Sequence, residues 1–466
     1  MNRFTSFLIC VSVGVFFWFI PLSPDIPKAA QEVFAVFLAV IVSFFLRPLP
    51  TGALVLLGLI SLLMTNTVTM DQALSGFGDS IVWLVVAAFL ISGAVVETGF
   101  GKRVALFFIS RFGKNIFGIA YGLCASEFVL GPVVPSNTAR GGGIHAPLER
   151  SLSEALGSYP DNRPDRAGSY LSLVGSHANM VTAGMFLTGM AANPLLAEAA
   201  STILHVNLDW LTWAKGTIVP GLVSLFLLPV FIYQVAKPEL RDTREVQKQV
   251  KEQYRSLGAW KRGERWMGMT FILLIALWTT SSLHGMDTTL VAWIGVCILF
   301  LTNTHSWDRM IRNFGAWDAL IWLGGLLTMA NLLKDYGFVD WFGSSVSAFL
   351  PDTHPILLLM LLAIIYFYSM YLFSQMTAHI AAFITGFFAL AVTHSIPPMA
   401  TAILFAGFST LCACLTPYAS GPCIIYFGQG YVPLARWFRV GFLVSLYHIV
   451  IWFVIGFAWW RYLGWW

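Results

Sequence analysis

The sequence predicts an all-α polytopic membrane protein, and three observations carry that prediction. Hydrophobic residues make up 57% of the 466-residue chain and charged residues only 11%, against roughly 25% charged in soluble domains. The apolar stretches are continuous over the length of a membrane span instead of alternating at every second residue, which is the pattern of spanning helices and not of barrel strands. Landmarks of the first half also return in the second half at a nearly constant spacing. So few charges cannot cover the surface of a water-exposed chain of this length. A soluble domain, a disordered chain, a coiled coil, a secreted disulfide scaffold and a nucleic-acid binder are thereby excluded.

Apolar runs are read as candidate spans at 5–22, 30–47, 52–67, 80–97, 117–134, 168–190, 217–236, 267–284, 289–303, 317–333, 355–373, 376–393, 399–415 and 437–460. The N-terminal Met1-Asn2-Arg3 leads directly into the first run with no small-residue cleavage site, so that run is expected to be a span and not a removed signal. A bacterial inner membrane is the simplest address. The six cysteines all fall in apolar stretches. Cys412 and Cys414 are two apart, but buried or lipid-facing thiols are expected there, not a metal site.

One interval is strongly polar. Lys237 to Arg265 holds nine of the 27 cations together with five acids, and the positive-inside rule makes it a cytoplasmic loop. It is expected to be a solvated connection between the halves; an anionic-lipid or regulatory role is the other reading. The smaller polar interval from Glu149 to Arg166 is expected on the same side.

The loop divides a duplication. Phe77-Gly78, Trp83-Leu84 and Gly99 align with Phe314-Gly315, Trp322-Leu323 and Gly337 at offsets of 237, 239 and 238, and Ser136 aligns with Ser374 at 238. Inverted copies are the commoner solution in transporters.

Four polar breaks interrupt the apolar runs. In Gly131-Pro132-Val-Val-Pro135-Ser136-Asn137-Thr138-Ala-Arg140-Gly141-Gly142-Gly143, two prolines and four glycines cannot continue a membrane helix. Non-helical backbone at membrane depth is tolerated only inside protein or along a wet cavity. A re-entrant hairpin with Ser136, Asn137 and Thr138 at its tip follows, and helix N-termini there would form an anion site. The second break is Ser374-Gln375-Met376-Thr377-Ala378-His379, in a stretch from Thr353 to Ala435 that has no Asp, Glu, Lys or Arg. Polar groups are expensive there unless used. The third is Thr188-Gly189-Met-Ala-Ala-Asn193-Pro194 and the fourth Thr416-Pro417-Tyr418-Ala419-Ser420-Gly421-Pro422. Two breaks per half suit a midplane site built by discontinuous helices. Arg140 and His379 are the nearby cations and no carboxylate adjoins the breaks, so a small polyanion is the expected ligand. Two alternatives stay open: Arg140 pairs with Glu127, and His379 is a core histidine bonded to a carbonyl. An intramembrane hydrolase using Ser374 and His379 is disfavoured, because residues five apart on a helix point about 140° from each other.

These residues resemble the divalent anion/sodium symporter family, and more closely its 2-oxoglutarate/malate translocator and citrate/succinate antiporter branch. The matching pieces are Pro135–Gly143, Met185–Pro194 and Ser374–His379, and the resemblance covers essentially the whole chain. It implies two inverted repeats, about 11 transmembrane helices with two re-entrant hairpins, and an elevator-type homodimer. Scaffold helices would fall at 1–110 and 266–343, the transport part at 111–236 and 344–466, and the cytoplasmic loop at 237–265. The implied function is exchange of di- or tricarboxylates, with Na⁺-coupled symport as the alternative. The implied partners are small carboxylate anions and membrane lipid, with no nucleic acid and no resident cofactor, Na⁺ entering only under the alternative. Binding residues would be Ser136, Asn137, Thr138, Arg140, Thr188, Gly189, Asn193, Ser374, Gln375, Thr377, His379, Tyr418, Ser420 and Gly421. Gln375-Met376 stands where the family's second tip has Asn, and a thioether is a poor substitute for an oxygen ligand to sodium.

Overall fold

The computed structural model describes residues 2–351 and 353–466. They are all-helical, apart from isolated bridges that tie loops together. Helix α1 (Arg3–Phe19) packs on α2 (Lys28–Leu46), followed by α3 (Thr51–Met64), α4 (Ser80–Thr98), α5 (Phe100–Phe112) and α6 (Ile116–Leu130). A π-helical turn at Thr138–His145 opens α7 (Ala146–Ala155), and α8 (Gly168–Met185), α9 (Asn193–Ala199) and α10 (Trp210–Val235) complete the first half. The loop carries α11 (Arg244–Ser256). The second half runs through α12 (Arg262–Thr279), α13 (Thr288–Leu301), α14 (Phe314–Asp335), α15 (Phe338–Ser347) and α16 (Pro355–Ser369), then α17 (Met376–Thr393), α18 (Pro398–Leu411), α19 (Gly421–Gly428) and α20 (Leu434–Ile451). Among the described residues, eight helices are long and apolar enough to cross a membrane. The apolar helices α1, α3, α6 and α13 are shorter. The run read as 117–134 stops at Leu130 because Gly131-Pro132 ends the helix.

Setting α1 and α11 aside, the helices of the second half repeat the order of the first, α12 to α20 answering α2 to α10. The backbone marks the same correspondence. Left-handed residues recur in pairs: Arg47 (φ 46°) with Gly285 (φ 67°), Asn66 (56°) with Asn303 (52°), Gly99 (75°) with Gly337 (81°), and Gly157 (69°) with Ser395 (51°). Each pair is 237 or 238 residues apart. Thr65-Asn66-Thr67 and Thr302-Asn303-Thr304 close α3 and α13 with the same hydroxyl pair, 2.9 and 2.8 Å long. These landmarks extend the duplication beyond the ones read from the sequence.

The two halves meet at α8 and α18. Every residue of α8 is buried, as is every residue from Ala400 to Leu411. In lipid there is little hydrophobic drive between helices, so close approach of small residues has to supply contact. A methyl on Gly184 would lie 2.4 Å from Thr410 Oγ1, and one on Gly407 would lie 2.1 Å from the Trp452 ring.

The polar interval 237–265 is not simply a solvated connection. Leu240 N–H donates to Arg166 O (3.0 Å), Ile116 N–H to Arg241 O (3.0 Å), and Gln247 Nε2 to Ser110 O (2.8 Å). Arg103 makes a two-point bond to Glu264 (2.9 and 3.0 Å) and also donates to Gly258 O. Backbone groups at the turn between α5 and α6 need partners and the loop supplies them; its charge hid this from the sequence reading.

Candidate functional site

The first break leaves α6 at Gly131. Thr138 begins the π-helical turn with no side-chain cap, and π-turns are frequent at functional sites. Thr188 Oγ1 fixes the non-helical stretch by donating to Pro132 O (2.5 Å) while accepting from Trp210 Nε1 (3.0 Å). The third break thus braces the first.

Beneath this tip lies a fully buried polar network. Arg140 Nε is 2.6 Å from Glu127 Oε2. Its Nη1 donates to Val134 O (2.6 Å) and Gly189 O (3.3 Å), and its Nη2 to Thr182 Oγ1 (3.3 Å). Asn179 Nδ2 donates to Glu127 and to Asn137 O (3.2 Å), and His145 Nδ1 lies 3.0 Å from Glu127 Oε1. Two expectations are corrected here. A carboxylate does adjoin the first tip, and Arg140 is paired with it, so its charge is neutralised inside the protein. Arg140 therefore positions the tip and is not a free cation facing a ligand.

The second tip is built from different material. His379 is fully buried among the rings of Tyr366, Phe373 and Phe383, with centroids at 4.3, 5.0 and 5.6 Å. Its Nε2 lies 2.8 Å from Ser369 Oγ and 3.1 Å from Tyr366 O. The core-histidine alternative is the one this geometry realises. Ser374 Oγ is buried without a hydrogen-bond partner and is not bonded to His379. Helix α17 starts at Met376 with no side-chain cap, and Met376 N–H donates to Ala419 O (2.9 Å) of the fourth break. Arg47 at the end of α2 donates to Ser374 O (3.4 Å).

The tips are brought together by the fourth break. Gly421 lies against Thr138 so closely that a methyl on it would be 2.2 Å from Thr138 Oγ1. Ala419, which holds Met376, is two residues before it, about 7 Å at most along the chain. The two tips therefore share one junction. At this junction Thr138, Gln375 and Tyr418 are exposed, and Ser136, Thr377 and Gly421 are partly so. Asn137 is only 9% exposed. Four predicted residues are spent on the frame. Thr188 and Gly189 brace the first tip, Asn193 Nδ2 donates to Ala183 O and Phe186 O, and Ser420 caps α19 through Cys423 N–H. Sequence reading missed Asn179, Thr182, His145 and Ser369. The signal for the first two was present, because residues three apart on a helix share a face.

Two clefts flank the tips at related places. One, about 330 Å³, opens between Val95, Gly99 and Lys102 on one side and Gly143, Ile144 and Pro147 on the other. At the related place in the second half, Lys334, Ala381 and Thr385 meet Leu195, Glu198 and Ile203 around a space of only about 20 Å³. Gly143 and Pro147 are 238 residues from Ala381 and Thr385.

Fold and site together define a multi-pass helical membrane protein. Its interrupted helices bring helix starts and hydroxyls to one junction, and Glu127 beside the first tip is paired with Arg140. The chain belongs to the divalent anion/sodium symporter family: the family described as "Sodium:sulfate symporter transmembrane region" matches residues 1–466. That places it among transporters, not enzymes. It is 40% identical over 465 residues to the putative malate transporter YflS of Bacillus subtilis, covering 100% of this chain and 97% of that protein. It is 37% identical to the chloroplastic dicarboxylate transporter 1 of Arabidopsis thaliana (98% and 83% covered). Identity to the L-tartrate/succinate antiporter of Escherichia coli O157:H7 is 30% (94% and 94%). Among solved structures, the fold is similar to the Alcanivorax borkumensis YdaH transporter, with a TM-score of 0.57 at 14% identity over 86% of this chain and 89% of that one. It is also similar to Neisseria gonorrhoeae MtrF, with a TM-score of 0.56 at 12% identity over 97% and 93%.

Proposed function

We propose that the protein exchanges di- or tricarboxylates of the malate, 2-oxoglutarate, succinate, citrate or tartrate type across a bacterial inner membrane. The observation that carries this is the shared junction: the helix starts at Thr138, Met376 and Gly421 converge where hydroxyls are available, and the Glu127 carboxylate beside the first tip is tied to Arg140. Helix N-termini favour anions, and relatives named for malate, dicarboxylate and tartrate/succinate transport point to the same ligand class. Ser136, Thr138, Ser374, Gln375, Thr377 and Gly421 are the residues we assign to contact with the carboxylates.

The electrostatics of the helix ends support exchange. The positive ends at the junction are fixed backbone dipoles that stay when the anion leaves. Carrying them unsatisfied through a low-dielectric barrier is costly, so return is favoured only with a second anion aboard. The contact of the first tip with α19 supports a transport part, 111–236 and 344–466, that moves as one body. It would slide as an elevator against scaffold helices 1–110 and 266–343 of a homodimer built from inverted repeats. The unequal clefts fit one end state of such a cycle.

The test is labelled malate uptake into proteoliposomes. Uptake should require internal dicarboxylate and proceed without Na⁺. Uptake that requires Na⁺ and ignores internal dicarboxylate would establish instead the second reading, sodium symport, which the family description favours. In a thermal-shift panel of malate, 2-oxoglutarate, succinate, citrate, tartrate and sulfate, ligand binding raises Tm with occupancy. No shift across the panel would remove the carboxylate assignment.

A further inference from the structure

Two cavities of opposite chemistry adjoin at the turn between α5 and α6. The first is an open basin of about 590 Å³ lined by Lys114, Arg241, Asp242, Arg244, Lys248 and Lys251. Arg244 is paired with Asp242 (2.8 Å) and Lys248 with Glu245 (2.9 Å). Among the described residues, Lys114, Arg241 and Lys251 have no acidic partner within salt-bridge distance. The basin is held in place. Ile116 N–H donates to Arg241 O (3.0 Å), Thr243 N–H to Lys114 O (3.3 Å) and Thr243 Oγ1 to Gly113 O (2.8 Å). Its cations are thus presented by a pinned backbone, which lowers the ordering cost of binding.

The second cavity is an apolar groove of about 290 Å³ between α6 and α10, lined by Phe112, Tyr121, Ala125, Phe128, Leu222 and Phe226 among others. Phe112 is 50% and Phe226 67% exposed. Tyr121 donates its hydroxyl to Phe226 O (2.9 Å) and so closes the floor between the two helices. The groove-lining residues of α6, Tyr121 to Phe128, span about 10 Å of helix rise, about two-thirds of the ~15 Å of one hydrocarbon leaflet. Phe112 at the groove and Lys114 at the basin are two residues apart, so a polar site and an apolar slot share an edge.

We propose that the two cavities form one site for an anionic phospholipid of the cytoplasmic leaflet. The phosphate lies among Lys114, Arg241 and Lys251, and an acyl chain runs along α6 into the groove. Charge complementarity selects the occupant: a zwitterionic lipid would fill the slot equally well, but its ammonium group cancels the charge of its phosphate, so it adds no net negative charge to offset the three unpaired cations. The positive-inside rule puts this loop on the cytoplasmic side, where anionic lipids attract basic segments. Because α6 and α10 belong to the part we assign to movement, the lipid would hold on to the moving body and not to the scaffold.

The experiment is equilibrium binding of dioleoyl phosphatidylglycerol and dioleoyl phosphatidylcholine to the purified full-length protein in detergent, with adducts resolved by native mass spectrometry. Each unpaired cation near the headgroup is worth about fivefold, so the preference for phosphatidylglycerol should be of the order of 100-fold at low salt. It should shrink as salt screens the basin. Lys114→Gln/Arg241→Gln/Lys251→Gln should bring the two lipids to within a few-fold of each other. Ala125→Trp, which fills the groove, should weaken both. Glycerol phosphate, a headgroup without chains, should bind far more weakly than phosphatidylglycerol. Equal binding of the two lipids to the unmodified protein would overturn the proposal whether or not the variants fold. Binding of glycerol phosphate as tight as that of the whole lipid would overturn it in favour of a free-phosphate site.

Discussion

The two halves of the molecule share a backbone plan and fill it differently. At the first tip the chain reversal rests on ions: Glu127 and Arg140 are both fully buried, 2.6 Å apart, with Asn179, Thr182 and His145 completing the shell. At the second tip an aromatic cage surrounds His379, and among the described residues no salt bridge involves residues 353–435. The flanking clefts differ as well, one open and one nearly closed. Duplicated backbone fixes where the breaks fall, while the side chains decide how each is held. A buried ion pair of this kind is weak evidence for stability but punishes the loss of one member severely, so the first tip should be brittle and the second tolerant.

The largest effect should come from the clefts. Val96 and Pro147 face the open one, and Lys334 and Thr385 the closed one. In a background without the native cysteines, Lys334→Cys/Thr385→Cys should be joined by a short bis-maleimide in the conformation described. Val96→Cys/Pro147→Cys should be joined only after the molecule has turned over, and faster with substrate present. Either cross-link should abolish exchange in proteoliposomes. If the Val96/Pro147 pair were linked as fast as the other in the absence of substrate, the clefts would not be two faces of one cycle.

Next comes the contrast between the tips. Glu127→Ala strands Arg140 in the interior and should cost about 3–5 kcal/mol, visible as loss of monodisperse protein and a steep fall in Tm. Glu127→Gln/Arg140→Gln removes both charges and should recover much of that loss. His379→Phe keeps the ring packing and gives up a single hydrogen-bonding edge, about 1 kcal/mol. A second-tip variant as damaging as Glu127→Ala would show that the polar and aromatic supports are equivalent after all.

The hydroxyls sharpen the comparison further. Ser374 Oγ has no protein partner, whereas Ser136 Oγ accepts from Ala139 N–H (3.1 Å). Each alanine variant should weaken dicarboxylate binding by up to about tenfold, the worth of one hydrogen bond. Only Ser136→Ala should also lower the Tm of the ligand-free protein. Ligand titrations read by thermal shift separate the two effects, and an unchanged affinity in both variants would take the serines out of the site.

The membrane class, the four breaks and the duplication were legible in the sequence because each follows from local chemistry. Low charge forbids a soluble surface, prolines and glycines end helices, and a repeated Phe-Gly … Trp-Leu … Gly survives in the letters. What was not legible was pairing across the chain. The pairing of Arg140 with Glu127 was open as an alternative, and the reversal at Gly131–Asn137, which returns the chain onto α6, decides for it; the Asn179 and Thr182 partners from α8 had no such signal. That Gly421 seats on Thr138 depends on how the halves pack, and no spacing within one half encodes it. The loop at 237–265 was misjudged for the opposite reason. Its charges other than Glu264 are on the surface as expected, but the backbone beneath them is bonded to the turn between α5 and α6.

The smallest effect is the most direct test of equivalence between the halves. Gly99 and Gly337 end α4 and α14 in nearly identical left-handed conformations, φ 75° and 81° with ψ 8° in both. A methyl added at either would meet nothing within 4 Å, so alanine pays only for the backbone conformation, about 1 kcal/mol. The two variants should lower Tm by the same small amount, within a few tenths of a kcal/mol. Gly99 borders the open cleft and Gly337 does not border the closed one. If the glycines are simple caps, exchange rates should stay near normal in both variants. A Gly99→Ala protein with matching stability but much slower exchange would show that this residue changes its backbone angles during the cycle. The opening and closing of the cleft would then turn on the junction between α4 and α5, and the second half would have to use a different joint.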